Sequence, residues 1–212
     1  MEHVSESVYD LVILGAGSGG YAAALRASQL GLKVALIEGD KVGGTCLHRG
    51  CIPTKAYLHA AETADAIRES DTFGVQATLQ GIDMAKVGQY RDSIINKLFR
   101  GVQGLLSSRG VDVIEGWGRL ASPDTIEVNG RRIVGRNIIL ATGSYSRSIP
   151  GLDISGRIIT SDQALQMEWV PQRAVVLGGG VIGLEFASVW RSFGAEVTII
   201  EALPHLANNE DE

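Results

Sequence analysis

The sequence contains only two cysteines, no excess of basic residues and no long hydrophobic run. Its net charge of -5 offers no broad positive surface for the backbone of a nucleic acid. No apolar stretch approaches the ~20 residues that a membrane helix needs, and residues 1–10 carry no signal-peptide pattern. We therefore expect neither a nucleic-acid nor a membrane partner, and we predict a cytoplasmic protein.

Glycine, in contrast, is abundant. It accounts for 27 of the 212 residues, about twice the ~7% of an average protein. Hydrophobic residues make up 45% of the chain, which is enough to bury a core and excludes intrinsic disorder. The composition therefore indicates a globular fold in which many positions need backbone without a side chain.

Two glycine-rich turns occur in equivalent surroundings. The first, at residues 15–20, lies between an apolar strand and a run of helix formers. Gly31 ends this predicted helix, and a second strand follows that ends at Glu38. A shift of 163 positions (178 minus 15) places this whole unit on a second one, with its turn at residues 178–183 and an acidic end at Glu201. Such a repeat predicts two sites for similar ligands.

The segment between the two units predicts further helices and strands. We expect helices over residues 54–70 and 82–109, the second with an apolar stripe at Val87, Tyr90, Ile94, Leu98, Val102 and Leu105. Short strands follow at residues 111–115, 125–128 and 137–140. Pro150 and Gly151 mark a domain boundary, giving domains over residues 1–149 and 150–212.

Each glycine turn has the surroundings of a dinucleotide site. The first glycine permits a tight turn, the second lets backbone N–H groups reach a pyrophosphate, and the third lets helix and strand pack closely. The phosphates would lie at the helix N-terminus, while Glu38 and Glu201 would accept hydrogen bonds from an adenosine ribose. A carboxylate repels a 2′-phosphate, so the second site should prefer NAD to NADP. The competing interpretation is that both turns only pack.

The two cysteines lie five positions apart in the run GGTCLHRGCIPTK. In a reducing compartment such a pair favours a redox or metal role, and a disulfide closing so short a loop adds little stability. Residues five apart on one helix point about 140° away from each other, so we place Cys46 in a loop and Cys51 at a helix start, which favours a thiolate. Zinc is the main alternative, although the spacing is not C-x-x-C and only His48 lies nearby.

Lys55 follows Cys51 by four positions and shares its helical face. Its ammonium could stabilise a thiolate or face an electron-rich cofactor ring. The alternative is a solvated surface lysine.

The pattern GGTCxxxGCxPxK resembles the redox-active disulfide segment of the FAD-containing pyridine nucleotide-disulfide oxidoreductases, and CLHRGCIPTK is most similar to the dihydrolipoamide dehydrogenase branch. The sequence ATGS at residues 141–144 and both glycine turns fall in that family's order. The resemblance implies an α/β fold: a Rossmann-like FAD-binding domain, with a parallel sheet, helices and a small antiparallel β element, followed by the first βαβ unit of a Rossmann-like NAD-binding domain.

The resemblance also implies site residues and no metal. Those for FAD are Gly15, Gly17, Ser18, Gly19, Gly20, Glu38, Gly44, Thr45, Lys55, Gly118, Ala141, Thr142, Gly143 and Ser144. Those for NAD are Gly178, Gly179, Gly180, Val181, Ile182, Gly183 and Glu201. The implied catalytic residues are Cys46, Cys51, Lys55 and Glu185, with Glu185 pairing with Lys55.

By the same resemblance, electrons pass from dihydrolipoamide through a Cys46–Cys51 disulfide and FAD to NAD. The substrate would be carried by the lipoyl domain of a 2-oxoacid dehydrogenase complex. Val181 stands where glutathione reductases usually carry a tyrosine, which favours the lipoamide branch. A glutathione- or mercuric-reductase type of enzyme and a non-catalytic dinucleotide-binding module are the alternatives.

Family members are considerably longer and form homodimers through a C-terminal domain that supplies an acid-base histidine. None of the four histidines, His3, His48, His59 and His205, matches that motif, and we expect His48 to face solvent. We therefore expect this chain to be an amino-terminal part with an incomplete NAD site and without full turnover. We also expect exposed apolar surface at residues 197–200 and self-association.

Overall fold

The computed structural model describes residues 8–208 of the 212-residue chain, which divides into two compact units. His3 lies outside the described residues. The first unit contains the residues up to His48 together with Ile95–Arg147, and the second contains Arg49–Ile94 together with the residues from Ser148 onward. Residues 49–94, which we placed in the first domain, thus lie in the second unit, and the domain limits at 149 and 150 stay a prediction.

The elements follow the α/β order that the sequence pattern indicates, and this fold class is confirmed. The strands are β1 (Leu11–Leu14), β2 (Val34–Glu38), β3 (Asp112–Glu115), β4 (Arg119–Ser122), β5 (Thr125–Val128), β6 (Arg131–Val134), β7 (Ile138–Leu140), β8 (Arg173–Leu177) and β9 (Glu196–Ile200). The helices are α1 (Ser18–Gln29), α2 (Gly44–His48), α3 (Cys51–Glu69), α4 (Met84–Ser108), α5 (Ser161–Ala164) and α6 (Val181–Phe193), with a 3₁₀ turn at Ser70–Phe73.

A four-stranded parallel sheet forms the centre of the first unit, in the order β3-β2-β1-β7. Strands β1 and β2 are near-continuous runs of Val, Ile, Leu and Ala, as expected of parallel strands covered on both faces. Val12, Ile13, Leu36 and Ile37 are completely buried. The carboxyl ends of all four strands lie at one edge, where dinucleotides bind in such sheets.

A three-stranded antiparallel sheet, in the order β4-β5-β6, packs in the same unit. The sequence analysis predicted β5 and missed β4 and β6. Asn129 and Gly130, which join β5 to β6, both have positive φ angles, of 50° and 71°. An Asn-Gly pair between strands is the usual sequence of a two-residue hairpin turn, so the signal for β6 was present in the chain.

The second unit contains the second copy of the βαβ repeat. Strands β8 and β9 are parallel and are joined by α6, which ends at Gly194 with a φ of 105°, as at many helix C-termini. Helices α3 and α6 share a core that includes Tyr57, Leu165, Phe186 and Trp190.

One face of the β8–β9 sheet is exposed among the described residues and carries apolar side chains at its carboxyl end. Its side chains alternate between half-buried and exposed, and Val175 is 68% exposed, with Leu177 and Ile200 beside it also exposed. The expected apolar surface at residues 197–200 is therefore confirmed for Ile200, whereas Val197 is half-buried. The same positions of β1 and β2 in the first copy are buried or half-buried.

Two local predictions were wrong. Cys46 lies on the short helix α2 and not in a loop, because the chain turns into a helix directly after Gly43, whose φ is 108°. Helix α4 is present, but part of its predicted apolar stripe is exposed, at Tyr90, Leu98 and Leu105. Within residues 8–208, no helix combines the length and the apolar character that crossing a membrane requires.

Candidate functional site

The first glycine turn joins β1 to α1 in a space too tight for side chains. A Cβ atom on Gly15, whose φ is 99°, would lie 2.2 Å from the carbonyl oxygen of Ala141, and one on Gly20 would lie 1.8 Å from that of Gly15. Ser18 and Gly19, which begin α1, are exposed. The first N–H groups of a helix have no partner within it, so this turn presents donors to an anion.

Glu38, at the carboxyl end of β2, binds this turn directly. Its Oε2 accepts a hydrogen bond from the backbone N–H of Ala16 at 2.7 Å, and its Oε1 accepts one from that of Asp40 at 2.9 Å. The role predicted for this carboxylate is the binding of a ribose alone. In the structure it also holds the turn in place, and its remaining lone pairs are available to a ligand.

Other predicted cofactor residues of the first unit meet the same edge of the sheet. A Cβ on Gly44 would lie 2.6 Å from the Cα of Gly17, so α2 begins in backbone contact with the turn. Ala141 donates its N–H to the carbonyl of Leu14 at 2.8 Å, and Thr142, Gly143 and Ser144 follow it in exposed positions. A Cβ on Gly118 would lie 2.7 Å from a methyl carbon of Leu14, so a side chain there would require Leu14 to move.

A cavity of about 380 Å³ lies beside Glu38. Its volume is within the range of small-molecule sites. The polar side chains that line it are three acids, one lysine, one glutamine and one serine. They are Glu38, Asp40, Lys41, Gln103, Ser107 and Glu115.

The second turn reproduces the first at the level of single hydrogen bonds. Glu201 accepts from the backbone N–H of Gly179 at 2.6 Å and from that of Leu203 at 2.8 Å, each 163 positions after its counterpart. A Cβ on Gly183 would lie 2.0 Å from the carbonyl oxygen of Gly178. The N–H groups of Leu203 and Gly179 stabilise the ionised carboxyl group and hold the pKa of Glu201 below its ordinary value.

The two cysteines lie on consecutive helices. Cys46 is half-buried on α2 in the first unit, and Cys51 is the exposed first residue of α3 in the second unit. The predicted helix start at Cys51 is confirmed, with Gly50 before it and Pro53 tolerated in the first turn. Among residues 8–208, no group of three or more His, Cys, Asp and Glu side chains could hold a metal ion.

Lys55 and Glu185 form a hydrogen-bonded ion pair between α3 and α6. The lysine side chain is 58% exposed and the glutamate side chain 19%. Lys55 lies one turn after Cys51, while Glu185 lies in the first half of the helix that opens at the second glycine turn. The predicted pair is thus brought together by the packing of these two helices.

His48 does not face solvent as expected. It is half-buried, its Nε2 lies 2.9 Å from the carbonyl oxygen of Val42, and its ring meets that of Phe99 edge-on at 5.2 Å. This contact arises because α2 packs its last residue towards α4.

A buried polar cluster around Arg91 is not among the residues predicted from the sequence. Arg91 is only 7% exposed and donates to the hydroxyl oxygen of Tyr57 at 3.2 Å and to the carbonyl oxygen of Leu165. Tyr57 donates to the same carbonyl at 2.9 Å. Because Met84 and Val87 precede Arg91 by seven and four residues, the helical period places Arg91 on their face, a signal that was available.

The charges of this cluster are set by its surroundings. Burial raises the pKa of the Tyr57 hydroxyl, although the Arg91 guanidinium opposes the change. Burial alone would lower the pKa of Arg91, but the Asp92 carboxylate, 2.8 Å from Nε, and Tyr57 outweigh it and raise that pKa. Arg91 therefore stays charged and joins α4 to α3.

Comparison with known proteins gives one family. Residues 9–212 match the family described as Pyridine nucleotide-disulphide oxidoreductase. The chain is 46% identical to a dihydrolipoyl dehydrogenase of Bacillus subtilis, over 96% of this chain and 46% of that protein. It is 43% identical to a dihydrolipoyl dehydrogenase of Thermus scotoductus, over 93% of this chain and 43% of that protein.

A solved structure is also similar. The HOCl-induced flavoprotein disulfide reductase RclA from Escherichia coli matches with a TM-score of 0.80 and 31% sequence identity, covering 96% of this chain and 44% of that one. The chain thus spans less than half the length of these relatives. The match over residues 9–212, together with the two glycine turns and the cysteine segment, shows that the chain belongs to the pyridine nucleotide-disulphide oxidoreductase family.

Proposed function

We propose that this chain forms the FAD-binding and thiol-bearing part of a dihydrolipoamide dehydrogenase, which passes electrons from dihydrolipoamide through Cys46 and Cys51 to FAD and then to NAD⁺. The observation that carries the proposal is the Lys55–Glu185 ion pair. It joins the helix that begins at Cys51 to the helix that begins at the second glycine turn. A thiol and a nucleotide site are thereby connected by one charged contact.

The first unit fits the adenine-dinucleotide part of FAD. Gly15 and Gly20 leave no room for a side chain, α1 opens with exposed N–H donors, and Glu38 keeps lone pairs for a ribose. When bound, FAD supplies a ring that accepts an electron pair from a thiolate and delivers it as hydride to NAD⁺. The second turn, with Glu201, fits the adenosine of NAD⁺ and would repel a 2′-phosphate.

The cysteines would act by thiol–disulfide exchange. One thiolate of dihydrolipoamide attacks the sulfur of Cys46, the Cys46–Cys51 bond breaks, and Cys51 leaves as a thiolate. The second thiolate of the substrate then attacks the sulfur bound to Cys46, which releases lipoamide and the Cys46 thiolate. The substrate loses two electrons and the enzyme disulfide gains them.

Lys55 would stabilise the Cys51 thiolate from one helical turn away, because an ammonium at that position lies on the same helix face. Glu185 would keep the lysine side chain in that position through their hydrogen bond. The base that would deprotonate the substrate thiols is not among the residues described, since no histidine of this chain matches the family's acid-base motif.

Substrate and partners rest on the named relatives and on Val181. The two dihydrolipoyl dehydrogenases support dihydrolipoamide carried by a lipoyl domain, and Val181, which is exposed at the start of α6, does not supply the tyrosine of glutathione reductases. We further propose that a homodimer and full turnover need sequence beyond these 212 residues. The cytoplasmic location stays a prediction.

A visible spectrum tests the proposal. The purified chain, reconstituted with FAD, should show flavin bands and gain a long-wavelength shoulder when dihydrolipoamide is added. The shoulder should persist in Cys46→Ser after mild reduction and vanish in Cys51→Ser. A chain that takes up no FAD would instead support a different ligand, and reduction by glutathione but not by dihydrolipoamide would support another disulfide reductase.

A further inference from the structure

We infer that the indole ring of Trp117 is the surface on which the adenine ring stacks at the first glycine turn. The inference rests on the proposed function, since it requires an adenine dinucleotide at that turn. It adds a residue that the cysteine segment, the glycine turns and the acidic residues do not include.

Trp117 combines high exposure with a fixed position. It follows β3 by two residues and is 83% exposed, although tryptophan is highly buried on average. Its ring nevertheless lies directly over Gly39, because a Cβ built there would come within 2.6–2.9 Å of three ring atoms. One face of the indole therefore rests against the backbone while the rest of the side chain is open to solvent.

Trp117 lies next to the acidic residue that would bind the ribose of an adenosine, because its indole rests on Gly39. Gly39 directly follows Glu38, whose carboxylate lies at the carboxyl end of β2 and points to the first turn. A ribose whose hydroxyl groups reach Glu38 carries its base beyond that strand end. The base would then lie close to the indole. Aromatic side chains stack on the flat face of a base, whichever base it is.

The second copy of the repeat differs at the residue on which the indole of Trp117 rests, which provides an internal comparison. A shift of 163 positions takes Gly39 to Ala202, so the second copy has a methyl group where the first has none. Gly39 does not have a positive φ, so alanine is tolerated by the backbone there and would only displace the indole. Gly39→Ala thus gives the first turn the residue that the second turn already carries.

Binding of FAD and ADP to the 212-residue chain tests the inference. We expect Trp117→Ala to weaken FAD binding by at least about fivefold and Gly39→Ala to weaken it less. Trp117→Phe should retain most of the affinity. ADP should quench tryptophan emission in the wild type and in Trp169→Phe, but not in Trp117→Phe. Trp169 is the matched control, since it is 63% exposed and lies in the second unit.

The outcomes separate this inference from the proposed function. A wild-type chain that binds no FAD contradicts the function itself. Equal FAD affinities of the wild type, Trp117→Ala and Gly39→Ala would overturn the role of Trp117 and leave the proposed function standing. Circular dichroism of each variant identifies loss of folding, and the phenylalanine variant, which keeps a flat ring, distinguishes stacking from general disruption.

Discussion

Glu38 and Glu201 make the same pair of hydrogen bonds. Each carboxylate accepts one from a backbone N–H in its own glycine turn and one from the backbone N–H of the residue two positions after the glutamate itself. Strand register repeats as well, since Leu14 pairs with Ile37 and Leu177 with Ile200. The repeat seen in the sequence is therefore a repeat of atomic contacts. Each acidic residue of the repeat therefore fixes the geometry of its own glycine turn.

The Glu201 contacts predict a pH-dependent contribution to stability. Because the N–H groups of Leu203 and Gly179 lower its pKa in the folded state, its stabilising effect is complete above the unfolded value of about 4.3 and is lost as the pH falls through the lower folded value. Glu201→Gln should lower the free energy of unfolding at pH 7, with a difference that shrinks in acid. Urea unfolding at several pH values measures this, and Glu196→Gln, which removes an exposed charge at the start of β9, is the matched control.

Adjacent glycines of α1 should respond in opposite directions to alanine. Gly20→Ala would place a Cβ 1.8 Å from the carbonyl oxygen of Gly15 and should cost more than ~3 kcal/mol in the free energy of unfolding. Gly19→Ala meets nothing within 4 Å and should stabilise the helix by up to ~1 kcal/mol. Thermal unfolding of both variants decides this, and equal effects would contradict the described turn.

Removal of the Arg91 charge should destabilise the chain strongly. Arg91→Met leaves the buried Leu165 carbonyl and Tyr57 hydroxyl with fewer partners, which should cost about 3 kcal/mol. Arg100→Met, an exposed arginine on the same helix, should change stability by less than ~0.5 kcal/mol. Chemical denaturation measures both variants, and an equal loss in the free energy of unfolding would contradict the structural role of Arg91.

Lys55→Met should change chemistry more than stability. Its pair with Glu185 is partly exposed, so its loss should cost less than ~1 kcal/mol. Alkylation of Cys51 by iodoacetamide, measured in a Cys46→Ser background, should slow about threefold when the ammonium one turn away is removed. Lys86→Met, which removes an exposed lysine of α4, should leave that rate unchanged.

The open face of the β8–β9 sheet should cause association at high concentration. Val175, Leu177 and Ile200 form exposed apolar surface on adjacent strands. We expect sedimentation velocity to show oligomers that Val175→Lys reduces. Leu30→Lys, an equally exposed apolar position beyond α1, should have no effect, and a monomer at all concentrations would contradict this prediction.

Local patterns in the sequence predicted much of the fold and the separate parts of the site. Glycine spacing and apolar runs predicted both βαβ units correctly. Turn geometry and the apolar character of a strand depend on residues that are close together in the sequence, so local patterns reveal them. Strand β4 was missed because three of its four residues are exposed and give no apolar pattern, whereas β6 could have been found from the Asn129-Gly130 turn that precedes it.

Contacts between distant segments could not be obtained in this way. The hydrogen bonds of Arg91 join residues far apart in the chain, and no spacing rule identifies Leu165 as an acceptor. The loop predicted for Cys46 failed for a related reason. Helix α2 has only five residues, too few for a periodic pattern, and its start is fixed by contact with Gly17.

That contact between Gly17 and Gly44 has a mechanical consequence. With a Cβ position only 2.6 Å from the opposing Cα, no side chain lies between the two backbones to absorb a displacement. Cys46 follows Gly44 by two residues on the same rigid helical turn. The first glycine turn therefore meets α2 backbone to backbone, two residues before the sulfur-bearing side chain of Cys46.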